Sequence, residues 1–119
     1  MKAVIRSSVL GALCLAVLIG AGAPDAPVAD AAMRGDVDAV RQLLREGADV
    51  NAAQGDGMSA LHWAAEHGDP ELTEMLLYAG ATIDVVTRIG EYTPLHIASR
   101  NGVSEVVSVL LAAGADVGA

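Results

Sequence analysis

Gly35, Gly68 and Gly102 stand 33 and 34 residues apart, and the same two steps separate Gly47, Gly80 and Gly114, and again Leu44, Leu77 and Leu111. A fixed period in this range marks a chain built from small supersecondary units, each unable to bury an apolar face alone and each completed by its neighbour. The architecture that follows is a solenoid whose core lies between units. It bounds the way such a chain can work more tightly than any single residue does.

The first residues must be set apart before composition is read. Lys2 and Arg6 precede an apolar run from Val9 to Ile19, and Ala21-Gly22-Ala23 follows it. A charged start, a short apolar stretch and a small-residue cleavage site form the pattern of a secretory signal peptide over residues 1–23, cleaved near Ala23. Pro24 would then come first, which signal peptidases tolerate poorly, so an adjacent cut or an uncleaved anchor is the second reading. The run is shorter than the ~20 apolar residues a spanning helix needs. Cys14 follows Leu13 with no small residue before it, so it does not read as a lipoprotein acylation site. Without residues 1–23 the chain has no lysine and no cysteine, and its five arginines face all fifteen carboxylates, a formal charge of −10. Such a surface repels nucleic acid and anionic lipid headgroups and attracts a basic protein. It also keeps a protein soluble whatever its partner. A chain without thiols is indifferent to an oxidising compartment.

From Pro24 onward the aromatics are Trp63, Tyr78 and Tyr92, with no Phe, and the apolar content is Ala, Leu and Val. These side chains suit thin helices packed in layers. Residues 24–27 read as a linker, and the units as 28–57, 58–90 and 91–119. Ser59, Asp69 and Thr93 are helix N-caps, and Pro70 and Pro94 fit the first helical position, where a missing N–H costs nothing. Helices are expected over 94–101 and 104–113. Gly47, Gly80 and Gly114 are placed to close helices in the left-handed conformation. The polar, glycine-rich stretches 47–57 and 80–90 predict projecting turns or short β-hairpins. Gly57 to Ser59 is two steps and Gly90 to Thr93 is three, so one extra residue accounts for the longer period and predicts a protrusion carrying Glu91 and Tyr92.

Thr93-Pro94-Leu95-His96-Ile97-Ala98 resembles the Thr-Pro-Leu-His-x-Ala signature of ankyrin repeats, and Ser59-Ala60-Leu61-His62-Trp63-Ala64 is a softened copy. The ending Leu-Leu-x-x-Gly-Ala occurs at 43–48, 76–81 and 110–115. The resemblance covers nearly everything from Val28 onward. It implies an all-α solenoid of about three helix-turn-helix units with short β-hairpin loops. The first unit resembles an N-terminal capping repeat, lacking the signature and placing Asp30 where Trp63 and Ile97 stand later. The third unit keeps Ile97, Val103, Val106, Val107 and Val109 with no polar cap after it, which predicts a frayed end, a missing final unit or a contact with a second copy.

The same resemblance implies a non-catalytic module that grips a protein through hairpin tips and the concave face of the first helices. Carried over residue by residue, that surface comprises Met33, Arg34, Asp56, Met58, Glu66, His67, Arg88, Ile89, Glu91, Tyr92, Arg100 and Asn101, with Ala53, Gly55 and Val86 beside them. Ser59, His62, Thr93, Pro94, His96, Gly47, Gly80 and Gly114 would hold the frame, the two histidines by bracing cap and hairpin backbone. With the export signal and the acidity, the chain is similar to small exported bacterial ankyrin proteins, periplasmic or secreted. By analogy alone it would act as an accessory or immunity-type envelope partner.

Other chemistry finds little material. His62 and His96 are already engaged by the repeat, which argues against a metal role. His67 with Glu66 beside it is the one place for acid–base work, and no nucleophile or orienting third group accompanies it. There is no Gly-x-Gly-x-x-Gly, no Gly-x-Ser-x-Gly, no phosphate loop with lysine and no cysteine pair. Gly55-Asp56-Gly57 lacks the spaced carboxylates of a calcium loop and reads as a turn tip. No catalytic, metal or cofactor residue is therefore assigned. Trp63, large in a slot that is otherwise small, reads as packed between units, with an interface anchor as the alternative.

Overall fold

The computed structural model describes residues 25–118, so the expected signal peptide and Pro24 lie outside the described residues. Among the described residues six helices follow in order: α1 (Pro27–Met33), α2 (Val37–Arg45), α3 (Ala60–His67), α4 (Pro70–Tyr78), α5 (Pro94–Asn101) and α6 (Ser104–Ala112). They pack as three helix pairs, with the inner helices α1, α3 and α5 stacked on one another in a row. Pro27, expected in the linker, sits in the first turn of α1, where an absent N–H breaks no helical bond.

Side-chain caps set the starts of α2, α3, α4 and α5. The side chains of Asp36, Ser59, Asp69 and Thr93 each accept the N–H three residues on, satisfying a donor the helix cannot. At the other end of α4, the Gly80 N–H bonds to the Leu77 carbonyl and the Ala81 N–H to the Leu76 carbonyl, both at 3.0 Å. Gly80 holds φ at +96° to allow this. It is the Schellman closure, and it explains the recurring Leu-Leu-x-x-Gly-Ala ending: the leucines supply the carbonyls while glycine makes the left-handed turn.

The core is a ladder of equivalent positions. Ala31, Ala64 and Ala98 are fully buried where the inner helices meet, and side chains this small let the helix axes approach closely. Leu61, Leu72, Leu76, Val106 and Leu110 fill the space between inner and outer helices. Each such leucine is worth about 1.5–3 kcal/mol of burial.

Hydrogen bonds between units add register. Asn51 Oδ1 accepts the Thr82 N–H at 2.7 Å, and Asp84 Oδ1 accepts the Asp116 N–H at 3.1 Å. Residues one period apart thus clip the unit that follows.

The connections between units contain no strand among the described residues, but they close through hairpin-type bonds. In the first, Gln54 N–H donates to the Met58 carbonyl at 2.9 Å and Gly57 N–H to the Gln54 carbonyl at 2.8 Å. In the second, Thr87 N–H donates to the Tyr92 carbonyl at 3.0 Å, and the additional residue, Glu91, takes a positive φ of +51°. Tyr92 does not protrude. Its ring folds back over Gly90, occupying the place a Cβ would take there.

The far end is less apolar than its valines suggest. Ile97 and Val106 are buried, and Val103 packs against Gly68 of the preceding unit. Ser99 lies exposed where Ala32 and Ala65 are buried in the earlier units. Val107 is half-buried at the position where Val40 and Thr73 are fully enclosed.

Candidate functional site

The two inter-unit turns and the inner helices α3 and α5 enclose a cleft of about 270 Å³, lined by Asp56, Met58, Trp63, Glu66, Thr87, Ile89, Tyr92, Ile97 and Arg100. Its walls are built by the repeat itself. Met58 and Tyr92 each lie directly before an N-cap, and Trp63 and Ile97 occupy the same place one turn into α3 and α5.

Trp63 is half-buried and forms one wall. Its Nε1–H donates to Gln54 Oε1 at 2.9 Å, and Gln54 Nε2 donates in turn to Asp30 Oδ1 at 2.8 Å. Asp30, the polar residue that distinguishes the first unit, thus anchors the indole of the second through a single amide. Tyr92 forms the opposite wall, with Arg100 over its ring at 5.4 Å and the His96 ring edge-on at 6.5 Å. Both rings are therefore held in place before anything binds.

The backbone behind Tyr92 is braced from within. Ser59 N–H donates to His62 Nδ1 at 3.0 Å, so Nε2 carries the proton and donates to the Tyr92 carbonyl at 2.8 Å. His62 is fully buried, and burial holds its pKa below the ordinary 6.5. The carbonyls of Tyr92 and Val85 and the charge of Asp56 pull the other way and do not overcome it. His96 repeats the near half of this arrangement, its Nδ1 accepting the Thr93 N–H at 3.0 Å.

Of the twelve residues expected on the binding surface, Asp56, Met58, Glu66, Ile89, Tyr92 and Arg100 line the cleft. Met33, Arg34, His67, Arg88, Glu91 and Asn101 are exposed but stand outside its lining. Several of these twelve also bond between units. His67 Nε2 donates to the Met33 carbonyl at 2.9 Å, while Glu66 Oε2 receives Arg100 at 3.4 Å and Asn101 at 3.2 Å. His67 and Glu66 are thus turned to different partners, and no shared acid–base site forms between them. Among the described residues no group of three His, Cys, Asp or Glu is placed to hold a metal ion.

Sequence reasoning missed Gln54, which carries no motif and lies in a variable turn. Asn51 and Asp84, one period apart, carried a signal of position that composition alone hides. Tyr78 was also passed over. It is 97% exposed on the outer face, between grooves lined by Leu77, Val109 and Ala112 on one side and Leu44 and Met75 on the other.

The comparisons agree with this geometry. A 72-residue stretch is 42% identical to human Ankyrin repeat and SOCS box protein 16, covering 60% of this chain and 16% of that protein. A 69-residue stretch is 36% identical to Palmitoyltransferase Hip14 of Drosophila melanogaster, covering 58% of this chain and 11% of that enzyme. A 57-residue stretch is 40% identical to Ankyrin repeat domain-containing protein SAT10 of Stachybotrys chartarum, 48% of this chain and 3% of that protein. The chain spans less than a fifth of each of these relatives. The family model described as ankyrin repeats (3 copies) matches residues 13–119. With three helix pairs at a 33- to 34-residue period, Schellman endings and that match, the chain belongs to the ankyrin-repeat family.

Proposed function

We propose that this chain is a non-catalytic protein-interaction module, exported from a bacterial cell to its periplasm or surroundings, that grips a basic protein partner through its turns and inner-helix face. The cleft carries this reading: nine side chains from two turns and two inner helices converge on one aromatic-walled depression. Rings already held by intramolecular contacts lose little freedom on binding. Trp and Tyr at such a place commonly dominate interface energy. Fifteen carboxylates against few arginines favour a basic partner and speed its encounter. The charged, apolar and small-residue order of residues 1–23 supports export, and with it an accessory or immunity role toward another envelope protein.

Alanine at Met58, Arg88 and Tyr92 together is expected to abolish capture of the partner in pull-downs from envelope extract, with far-UV circular dichroism unchanged. Capture that survives refutes the mapped face. Capture lost instead on Tyr78→Ser moves the contact to the outer helices.

A second reading, self-association through the C-terminal end, draws on Val107, half-exposed where its counterparts are enclosed. It expects a dimer that Val107→Lys dissolves. Sedimentation as a monomer at every concentration dismisses it.

A further inference from the structure

We infer that the cleft receives a lysine or arginine side chain of the partner, its aliphatic stem laid on Trp63 and its cationic head directed to Asp56. This rests on the protein-binding reading above and narrows it to one recognised chemistry.

Three charged side chains line the cleft: Asp56, Glu66 and Arg100. Glu66 Oε2 and Arg100 Nη2 lie 3.4 Å apart, so these two offset each other. Arg100 is further occupied by stacking over Tyr92. Asp56 remains. Its Oδ1 accepts the Met58 N–H at 3.0 Å, which fixes the direction of the carboxylate, and among the described residues no arginine forms an ion pair with it. Arg88 gives its backbone N–H to the Asp56 carbonyl at 2.9 Å, but its side chain does not line the cleft.

The remaining lining is Met58, Trp63, Thr87, Ile89, Tyr92 and Ile97. A directed carboxylate without a counter-ion, at an apolar slot with aromatic walls, suits a cation carried on an apolar stem. The indole face attracts such a cation electrostatically, and Gln54 holds that face in place. An aliphatic side chain would fill the slot and leave Asp56 without use. An acidic one meets repulsion from Asp56 and from the net charge of the chain.

Randomised dodecapeptides displayed on phage are selected in parallel against the wild-type protein and against Asp56→Asn. That substitution keeps the oxygen that accepts the Met58 N–H and removes only the charge. Selected peptides are then synthesised with each basic residue as itself and as citrulline, and titrated by the fluorescence of Trp63, the single tryptophan of the chain. The expected result is enrichment of one lysine or arginine on the wild type, its disappearance on Asp56→Asn, and a weakening of at least about ten-fold on citrulline replacement. Neutral or acidic peptides that perturb Trp63 as strongly overturn the basic-side-chain assignment and leave the protein-binding cleft standing. So does equal enrichment on both proteins. Peptides that bind without altering Trp63, and still bind when Met58, Arg88 and Tyr92 are alanine, remove the cleft and this inference together. A selection returning no binder overturns the inference as well.

Discussion

His62 does two jobs with one ring, and each depends on its staying neutral. Nδ1 accepts from the Ser59 backbone and Nε2 donates to the Tyr92 carbonyl, so a second proton on the ring would take away the acceptor that closes the capping box of α3. Burial lowers the pKa of the folded state, whereas the unfolded chain protonates near 6.5. The sign follows directly. Above about pH 7 the contribution of His62 is fully present; as pH falls below 6.5 the unfolded chain binds a proton that the folded chain refuses, and stability drops until the folded pKa is reached. The decline from this one group is at most about 1.4 kcal/mol per pH unit. Urea titrations between pH 8 and pH 5.5 are expected to show that decline, and His62→Gln to flatten it. An identical pH slope in the variant would mean that the acid sensitivity lies elsewhere.

The repeat frame was legible at this scale because its physics is local. A Ser or Thr cap three residues before a His, a proline at the first helical position and a glycine after Leu-Leu-x-x each act within one turn of helix. Every one of those positions has the geometry its residue type implies. The side chains around the cleft were legible only in part. Their roles depend on which residue of the neighbouring unit comes opposite, and a periodic sequence specifies that a neighbour exists without giving its rotamers. Tyr92 folds back over its own turn because Gly90 leaves room beneath its ring and Arg100 stacks above it, and it stays 44% exposed. The first contact lies within the turn, two residues away, but the second comes from α5 and is not local to it. Trp63 was expected mainly as a packed residue; its half-burial follows from the hydrogen bond that points its nitrogen toward Gln54.

At the scale of the elements, the two turns are alike in role and different in length. The first closes in five residues, from Gln54 to Met58, while the second inserts Glu91 at positive φ. They also stack. A Cβ on Gly57 would stand 2.8 Å from the Arg88 nitrogen, so the second turn can lie against the first only where the first has no side chain. Gln54 ties the first turn to both helices beside it, through Asp30 of α1 and Trp63 of α3. Gln54→Ala removes both bonds and frees the indole. A loss of about 1–2 kcal/mol is expected, since two hydrogen bonds of ordinary net strength disappear and one of them had a charged acceptor. Trp63 should then report a more mobile, more hydrated ring, with red-shifted emission and faster quenching by iodide. Unchanged emission would mean that packing alone, without Gln54, fixes the wall of the cleft.

For the whole molecule the decisive quantity is how strongly three units depend on one another. Among the described residues only the middle pair, α3 and α4, is flanked by repeat helices on both sides, and its leucines 61, 72 and 76 are essentially fully enclosed. Bonds such as Asp84 to Asp116 and His62 to Tyr92 join it to the unit that follows, while Asn51 to Thr82, Gln54 to Trp63 and His67 to Met33 join it to the first. In a one-dimensional stack, stability is a sum of unit and interface terms, so damage at the centre weakens two interfaces and damage at an end weakens one. Leu76→Ala is expected to cost about 2–5 kcal/mol and to lower a single cooperative transition. Val107→Thr, at a half-exposed place where the middle unit itself carries a buried threonine, should cost less than about 1 kcal/mol. Native-state hydrogen exchange gives the sharper measurement. Amides of α3 and α4 should exchange only through global unfolding, and those of α6 through a smaller opening of the last pair. Uniform exchange across all six helices would place the cooperative unit at the whole stack, with no weaker end to fray.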